Sequence, residues 1–231
     1  MNHQTLNIAE RFHSIQGEGT HVGTSMHFIR TAGCNVGRLP VNTPEHHSDF
    51  PILKTGHAAF RCATYDGRGF WCDTDFHKGI HTMVDELIEE TWEEHICLTG
   101  GEPLLHQDLP SFARLLELAF VRDLRVHIET SGTIGLRADH LARNPWICIS
   151  PKKGCLPSML RIADEIKLLV DDHFDARDVP QEILLHPNVF IQPVNQEMSV
   201  DPANLELCNE VLRKFPSWRL SVQLHKFLGV R

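Results

Sequence analysis

Residues 96–132, ICLTGGEPLLHQDLPSFARLLELAFVRDLRVHIETSG, decide the fold. Ile96-Cys97-Leu98 is a short apolar strand that stops at Thr99-Gly100-Gly101. Ser111 to Val121 then repeats apolar residues at helical spacing. Arg125 to Glu129 returns to a strand and stops at Thr130-Ser131-Gly132. A strand, a helix and a strand in succession imply two parallel strands joined by a crossover helix. The same beat extends both ways. Upstream, Met26 to Thr31 reads as a strand, residues 35–70 as a long irregular loop, and Met83 to His95 as a helix carrying Met83, Leu87, Ile88, Trp92 and His95 on one face. Downstream, Trp146 to Ser150, Asp164 to Val170, Asn188 to Gln192 and Arg219 to Gln223 read as strands, with helices over Val179 to His186 and Asn204 to Phe215. Such alternation predicts an α/β domain built on a parallel sheet. Polar residues recur at the strand ends: Thr99 and Glu102, Glu129 and Ser131, Ser150 and Lys152, Gln192, and Gln223 with His225. In β/α barrels that rim carries the chemistry.

At 231 residues the chain is long enough for one sizeable core, and we expect a single domain over 1–231. Its net charge of −8 argues against a surface that coats nucleic acid. It contains no run of eighteen apolar residues, so no membrane span is expected. Met1 to Arg11 lacks the apolar core of a signal peptide, and a cytoplasmic protein is expected. The seven cysteines are an odd number and do not suggest a disulfide framework there.

Three of those cysteines stand apart. Cys34 lies in Ala32-Gly33-Cys34-Asn35, Cys62 in the long loop, and Cys72 in Trp71-Cys72-Asp73-Thr74. Three thiolates can hold three irons of a [4Fe–4S] cluster and leave the fourth iron open, where S-adenosylmethionine can bind. Cys97, Cys148 and Cys208 fall on strand or helix faces and read as core, since free cysteine packs as a small hydrophobe. Cys155 sits outside the cluster loop. His46-His47 reads as solvated loop, because no second ligand pair has zinc-like spacing. The run Asp85-Glu86-Glu89-Glu90-Glu93-Glu94 reads as the wet face of a helix.

Eight stretches carry a resemblance. They are Phe12-His13-Ser14-Ile15-Gln16-Gly17-Glu18-Gly19, Phe28-Ile29-Arg30-Thr31-Ala32-Gly33-Cys34-Asn35, Trp71-Cys72-Asp73-Thr74, Thr99-Gly100-Gly101-Glu102-Pro103, Glu129-Thr130-Ser131-Gly132-Thr133, Ser150-Pro151-Lys152, Asp164-Glu165-Ile166-Lys167 and residues 218–226, WRLSVQLHK. In this order they resemble the 7-carboxy-7-deazaguanine synthases, radical S-adenosylmethionine enzymes of the 7-deazapurine (queuosine) pathway. The resemblance runs from Leu6 to Arg231, with its gap at residues 35–70. It implies an abbreviated, partial (β/α) barrel of the radical S-adenosylmethionine type with a long insertion in the cluster-binding loop. It implies a lyase reaction: 6-carboxy-5,6,7,8-tetrahydropterin contracts to 7-carboxy-7-deazaguanine with loss of ammonia. A 5′-deoxyadenosyl radical from S-adenosylmethionine takes a hydrogen atom from the pterin and later returns it.

The resemblance also implies residue roles. Cys34, Cys62 and Cys72 would hold the cluster, and Thr74 a magnesium ion (Mg2+), a hard cation suited to oxygen ligands. Thr99, Gly100, Gly101 and Glu102 would bind the amino-acid end of S-adenosylmethionine, the Glu102 carboxylate accepting from its ammonium. Glu129, Ser131, Ser150, Lys152 and Gln192 would line the rest of that cofactor site. Gln16, Glu18, Arg30, His225 and Arg231 would hold the pterin, with Arg30 taking its carboxylate. A homodimer and an external electron donor of flavodoxin or ferredoxin type are implied as partners, with neither nucleic acid nor membrane. The chain departs from the superfamily pattern C-x3-C-x2-C, because Gly69 stands where the middle cysteine would be. Its spacing is Cys34-x27-Cys62-x9-Cys72, with His57 or an incomplete cluster as rivals to Cys62. Two further readings share the signature. One is an activase that makes a radical on a partner protein, which would leave Gln16-Gly17-Glu18-Gly19 and residues 223–226 unexplained. The other is a cluster-less binding or regulatory homologue, which only Gly69 favours.

Overall fold

The computed structural model describes residues 4–37, 60–67, 69–72, 74, 76, 78–195 and 200–230. Among these, nine strands form one sheet in the order β11-β10-β9-β8-β7-β6-β2-β1-β5. Seven of them run parallel: β2 (Ser25–Thr31), β6 (His95–Gly100), β7 (Arg125–Thr130), β8 (Trp146–Ile149), β9 (Glu165–Val170), β10 (Val189–Pro193) and β11 (Arg219–Leu220). β1 (Thr5–Ile15) pairs antiparallel with β2 and with the edge strand β5 (Ile80–Met83).

Period-2 alternation divides each parallel strand between two faces. Ile96, Leu98, Ile128, Ile147, Ile149, Ile166, Leu168, Val189 and Ile191 join one core with Phe112, Leu115 and Leu116 of α2 (Pro110–Val121) and Cys208 and Val211 of α6 (Pro202–Lys214). The intervening positions, Cys97, Thr99, His127, Glu129, Cys148, Lys167 and Gln192, point to the other face. That face is unusually polar for a sheet interior. Cys97, Cys148 and Cys208 are buried, as expected of core thiols.

Several elements differ from the expectations above. Residues 83–95 are not one helix: Met83 closes β5, α1 spans only Val84–Glu89, and His95 opens β6. Side chains satisfy the carbonyls at and just beyond the helix end. Arg122 donates to the carbonyls of Ile88 and Thr91, and the Thr91 hydroxyl donates to Leu87 O at 2.9 Å. Trp92 is consequently 73% exposed and stacks on His13 at 3.5 Å. The acidic run is not uniformly wet either, since Glu93 is buried and meets His13 Nδ1 at 2.9 Å. Part of the long loop is regular: β3 (Phe60–Ala63) and β4 (Gly69–Cys72) form an antiparallel hairpin. An isolated bridge between Thr64 and Lys152 ties that hairpin to the end of β8. The last strand is only Arg219–Leu220, and the chain then turns into α7 (Leu224–Leu228). His46, His47 and His57 lie outside the described residues, as does Arg231. Among the described residues, no helix is long and apolar enough to cross a membrane.

Candidate active site

Gly100 and Gly101 end β6 where the chain must pass very close to its neighbour. A Cβ on Gly101 would stand 2.1 Å from Gly33 O and 2.7 Å from Cys34 Cβ. Backbone atoms cannot yield to such an approach, so only glycine fits. The contact straps Cys34 to the rim: Glu102 N donates to Gly33 O at 3.0 Å, and Gly33 N donates to Phe76 O at 2.7 Å.

Glu102 itself turns inward. It is fully buried, and its carboxylate accepts from Leu104 N (3.1 Å), Thr130 Oγ1 (2.7 Å), Ser131 N (2.9 Å) and the Ser131 hydroxyl. A carboxylate has about four acceptor sites, and four donors fill them. Glu102, expected to accept from a ligand's ammonium, uses its acceptor sites within the wall here. Its side chain joins β6 to β7, and the glycine backbone before it remains as the surface available to a ligand. Ser131 is drawn into the same arrangement. Thr99 stays nearer the cavity and donates to Glu129 Oε2 at 3.2 Å.

The segment Gln16 to Thr20, between β1 and β2, crosses the polar face of the sheet. Gln16 Nε2 donates to Glu129 Oε1 at 3.1 Å. Glu18 accepts from Lys167 Nζ (2.6 Å), Gln192 Nε2 (3.1 Å) and Gln223 Nε2 (2.9 Å). Thr20 N donates to Glu165 Oε2 at 2.8 Å, two residues earlier on β9. Gly19 has φ of +67°, and a Cβ there would lie 2.2 Å from the Glu165 carboxylate, so this turn also requires glycine. The tail clamps the segment from the far edge, because Leu224 N donates to Gly17 O at 2.9 Å and Ser221 Oγ accepts from Gly19 N at 3.1 Å. Burial pushes the Glu18 carboxyl up, but the adjacent Lys167 ammonium, with the hydrogen bonds it and Gln223 make and the nearby His225, brings it down to about 2. Burial opposes the Lys167 charge, and Cys148, Glu129, Glu18 and Glu165 around it outweigh that and hold it well above its ordinary range.

A cavity of about 680 Å³ opens over this face. Gln16, Glu18, Arg30, Thr74, Thr99, Gly100, Glu129 and His225 all line it. Arg30 lies directly across from Glu10 in the β1–β2 ladder, just past the irregularity between Ile8 and Glu10. Its Nε donates to Glu10 Oε2 at 3.2 Å and its Nη1 to Thr74 Oγ1 at 3.1 Å. Lys152 and Ser150 bond each other at 2.8 Å on the hairpin side, away from this lining. Gln192 was expected on the cofactor side, yet its amide reaches Glu18, the carboxylate expected to hold substrate.

Cys34 sits on the rim against Gly101, and Cys62 and Cys72 sit on the hairpin that is bridged to Lys152. Phe60 pairs with Cys72 and Cys62 with Phe70, so Cys62 and Cys72 project from one face of the hairpin. Gly69, where the superfamily spacing would place its middle cysteine, pairs with Ala63 and not with Cys62. Burial pushes both the Cys34 and the Cys62 thiols up, and each is close enough to Lys152 to feel its charge. A [4Fe–4S] cluster with one open iron takes three thiolates, and Cys34, Cys62 and Cys72 each lie near Lys152. The Thr74 hydroxyl, expected to meet a cation, accepts from Arg30. Among the described residues, no three His, Cys, Asp or Glu side chains gather around a single metal ion.

A protein named 7-carboxy-7-deazaguanine synthase from Bradyrhizobium diazoefficiens is 32% identical over 240 residues, covering 97% of this chain and 98% of its own. One of the same name from a Synechocystis species is 31% identical over 232 residues, covering 97% and 93%. The chain belongs to the 7-carboxy-7-deazaguanine synthase family. A solved member, QueE from Escherichia coli, superimposes with a TM-score of 0.61 and 26% identity over 96% of this chain and 95% of its own. No family model matches the chain. Within this synthase fold, reading strand ends alone missed Lys167, Glu10 and Glu165. Lys167 had a signal: a lysine in mid-strand at a position that period 2 assigns to the face opposite Ile166 and Leu168.

Proposed function

We propose that this chain contracts 6-carboxy-5,6,7,8-tetrahydropterin to 7-carboxy-7-deazaguanine with loss of ammonia, a carbon–nitrogen lyase step of queuosine biosynthesis. The observation that carries the reading is one cavity lined by both a guanidinium, Arg30, and an ionised carboxylate, Glu18, together with Thr99 and Gly100. Arg30 matches the carboxylate of the pterin, and Glu18 matches its N–H donors. Gln16 and His225 complete the substrate side. Cys34, Cys62 and Cys72 hold the cluster. When bound there, the cluster and S-adenosylmethionine would supply the hydrogen-abstracting chemistry. This chain's residues orient the two ligands and exclude water. The Gly100-Gly101 backbone receives the amino-acid end of S-adenosylmethionine, with Thr99, Glu129, Ser150 and Lys152 lining the remainder. Ser131 and Glu102 hold that wall in shape from behind.

Mg2+ at Thr74 would take its other oxygens from water and substrate. It would replace Arg30 on the hydroxyl, since two cations do not share one oxygen. The nine-stranded sheet with its tail clamped to the loop after β1 supports an abbreviated, partial (β/α) barrel, and 1–231 works as one domain. The synthase acts in the cytoplasm as a homodimer, reduced by a flavodoxin- or ferredoxin-type donor. The test is anaerobic: reconstitute the cluster, add the carboxytetrahydropterin, S-adenosylmethionine and a reductant, and follow 7-carboxy-7-deazaguanine and ammonia. A fully loaded protein that cleaves S-adenosylmethionine and leaves the pterin intact would sink the reading and favour the activase.

A further inference from the structure

Lys167 is a buried ammonium in mid-strand, held by two carboxylates that both line the cavity. Its Nζ is 2.6 Å from Glu18 Oε2 and 3.4 Å from Glu129 Oε1. Glu18 Oε1 is already occupied by Gln192 and Gln223, at 3.1 and 2.9 Å. Three of the roughly four acceptor sites on Glu18 are therefore filled, and the remaining one lies on the oxygen that Lys167 holds. We propose that Lys167 is a positioning residue that makes Glu18 a fixed, acceptor-only group, so that the cavity takes a ligand edge presenting an N–H donor and rejects one presenting a carbonyl. The inference rests on the reading that Glu18 holds the pterin.

The physical argument is a balance of charges. Glu18 faces Lys167, His225 and Glu129, while Lys167 faces Glu18, Glu129, Glu165 and Cys148. Without the ammonium, two carboxylates would share a dry site, and one of them would take up a proton near neutral pH. A protonated Glu18 has an O–H donor and accepts a carbonyl in place of an N–H. Lys167 thus sets which edge of a bicyclic ligand is recognised, without touching the ligand itself.

The test is equilibrium binding of fluorescent 6-carboxypterin between pH 5 and 7, with 6-carboxylumazine, in which an oxo group replaces the amino group, as competitor. Wild-type affinity for the pterin is expected to be flat over that range, with the lumazine at least about tenfold weaker, the equivalent of one lost hydrogen bond. Lys167→Met is expected to weaken pterin binding about tenfold or more, increasingly as pH falls, while the preference over lumazine narrows. Glu18→Gln should narrow the preference with no pH slope, and Lys167→Arg should restore part of the flat profile. A folded Lys167→Met protein with wild-type affinity, slope and preference overturns the proposal. If Lys167→Met does not fold, a wild-type affinity that falls between pH 7 and 5 overturns it instead. Normal pterin binding by Glu18→Gln would show that the substrate reading itself has failed. Impaired Glu18→Gln beside an unaffected Lys167→Met would sink only the role of Lys167.

Discussion

Glu102→Gln separates a wall-building carboxylate from a ligand-binding one. In the wild type, Oε1 accepts from Leu104 N and Thr130 Oγ1, and Oε2 from Ser131 N and its hydroxyl. Glutamine can keep the first pair through its carbonyl oxygen. Its amide nitrogen must then face the second pair, donor against donor. The Ser131 hydroxyl can rotate to accept, but the Ser131 N–H cannot. The change thus loses a charge-assisted hydrogen bond, about 1.5–3 kcal/mol, and strands one buried N–H, about 1–3 kcal/mol. A total of about 2.5–6 kcal/mol corresponds to a Tm lowered by about 5–24 °C for a domain of this size. Thermal unfolding followed by circular dichroism, without cluster or S-adenosylmethionine, measures it directly. An unchanged Tm in that state, combined with lost S-adenosylmethionine affinity in the loaded enzyme, would refute the reasoning and return Glu102 to the ligand.

Three further outcomes are expected. Among the seven single Cys→Ala variants, those at Cys34, Cys62 and Cys72 should lose iron and the visible absorbance of the cluster, whereas Cys97, Cys148, Cys155 and Cys208 should retain both; a full cluster in Cys62→Ala would displace it as ligand. Arg30→Ala should raise the Michaelis constant for the carboxytetrahydropterin at least about tenfold, because a charged hydrogen bond is lost, and Arg30→Lys should lose less. An unchanged Michaelis constant with weakened S-adenosylmethionine binding would put Arg30 in the wrong half of the site. Turnover should need a divalent cation, and Thr74→Ala should weaken that dependence or abolish activity; full wild-type activity in chelator would remove Mg2+ from the mechanism.

The order of parallel strands and crossover helices after residue 95 was legible in the sequence. Period 2 and helical period are local signals, and Ile96, Leu98, Phe112 and Ile128 carry them without reference to distant residues. The same alternation put Thr99 and Glu129 at strand ends, where both line the cavity. It misread residues 83–95, because nothing local announces that Arg122, from another element, caps that helix after one and a half turns. The hairpin in the long loop was missed for a related reason: its four-residue strands are too short for periodicity to stand out.

What a polar residue meets was left to the tertiary structure. The sequence alone marked Glu18, Glu102, Arg30 and Lys167 as charged groups near strands, and it named the cysteines. Only the packed sheet shows Glu102 turned into its wall, Arg30 set against Glu10, and Lys167 joined to Glu18 across 149 residues of chain. The physical reason is that alternation assigns a side chain to a face, whereas its partner depends on strand order, register and the path of the loop between β1 and β2. Those are properties of the whole sheet, and no stretch of sequence contains them.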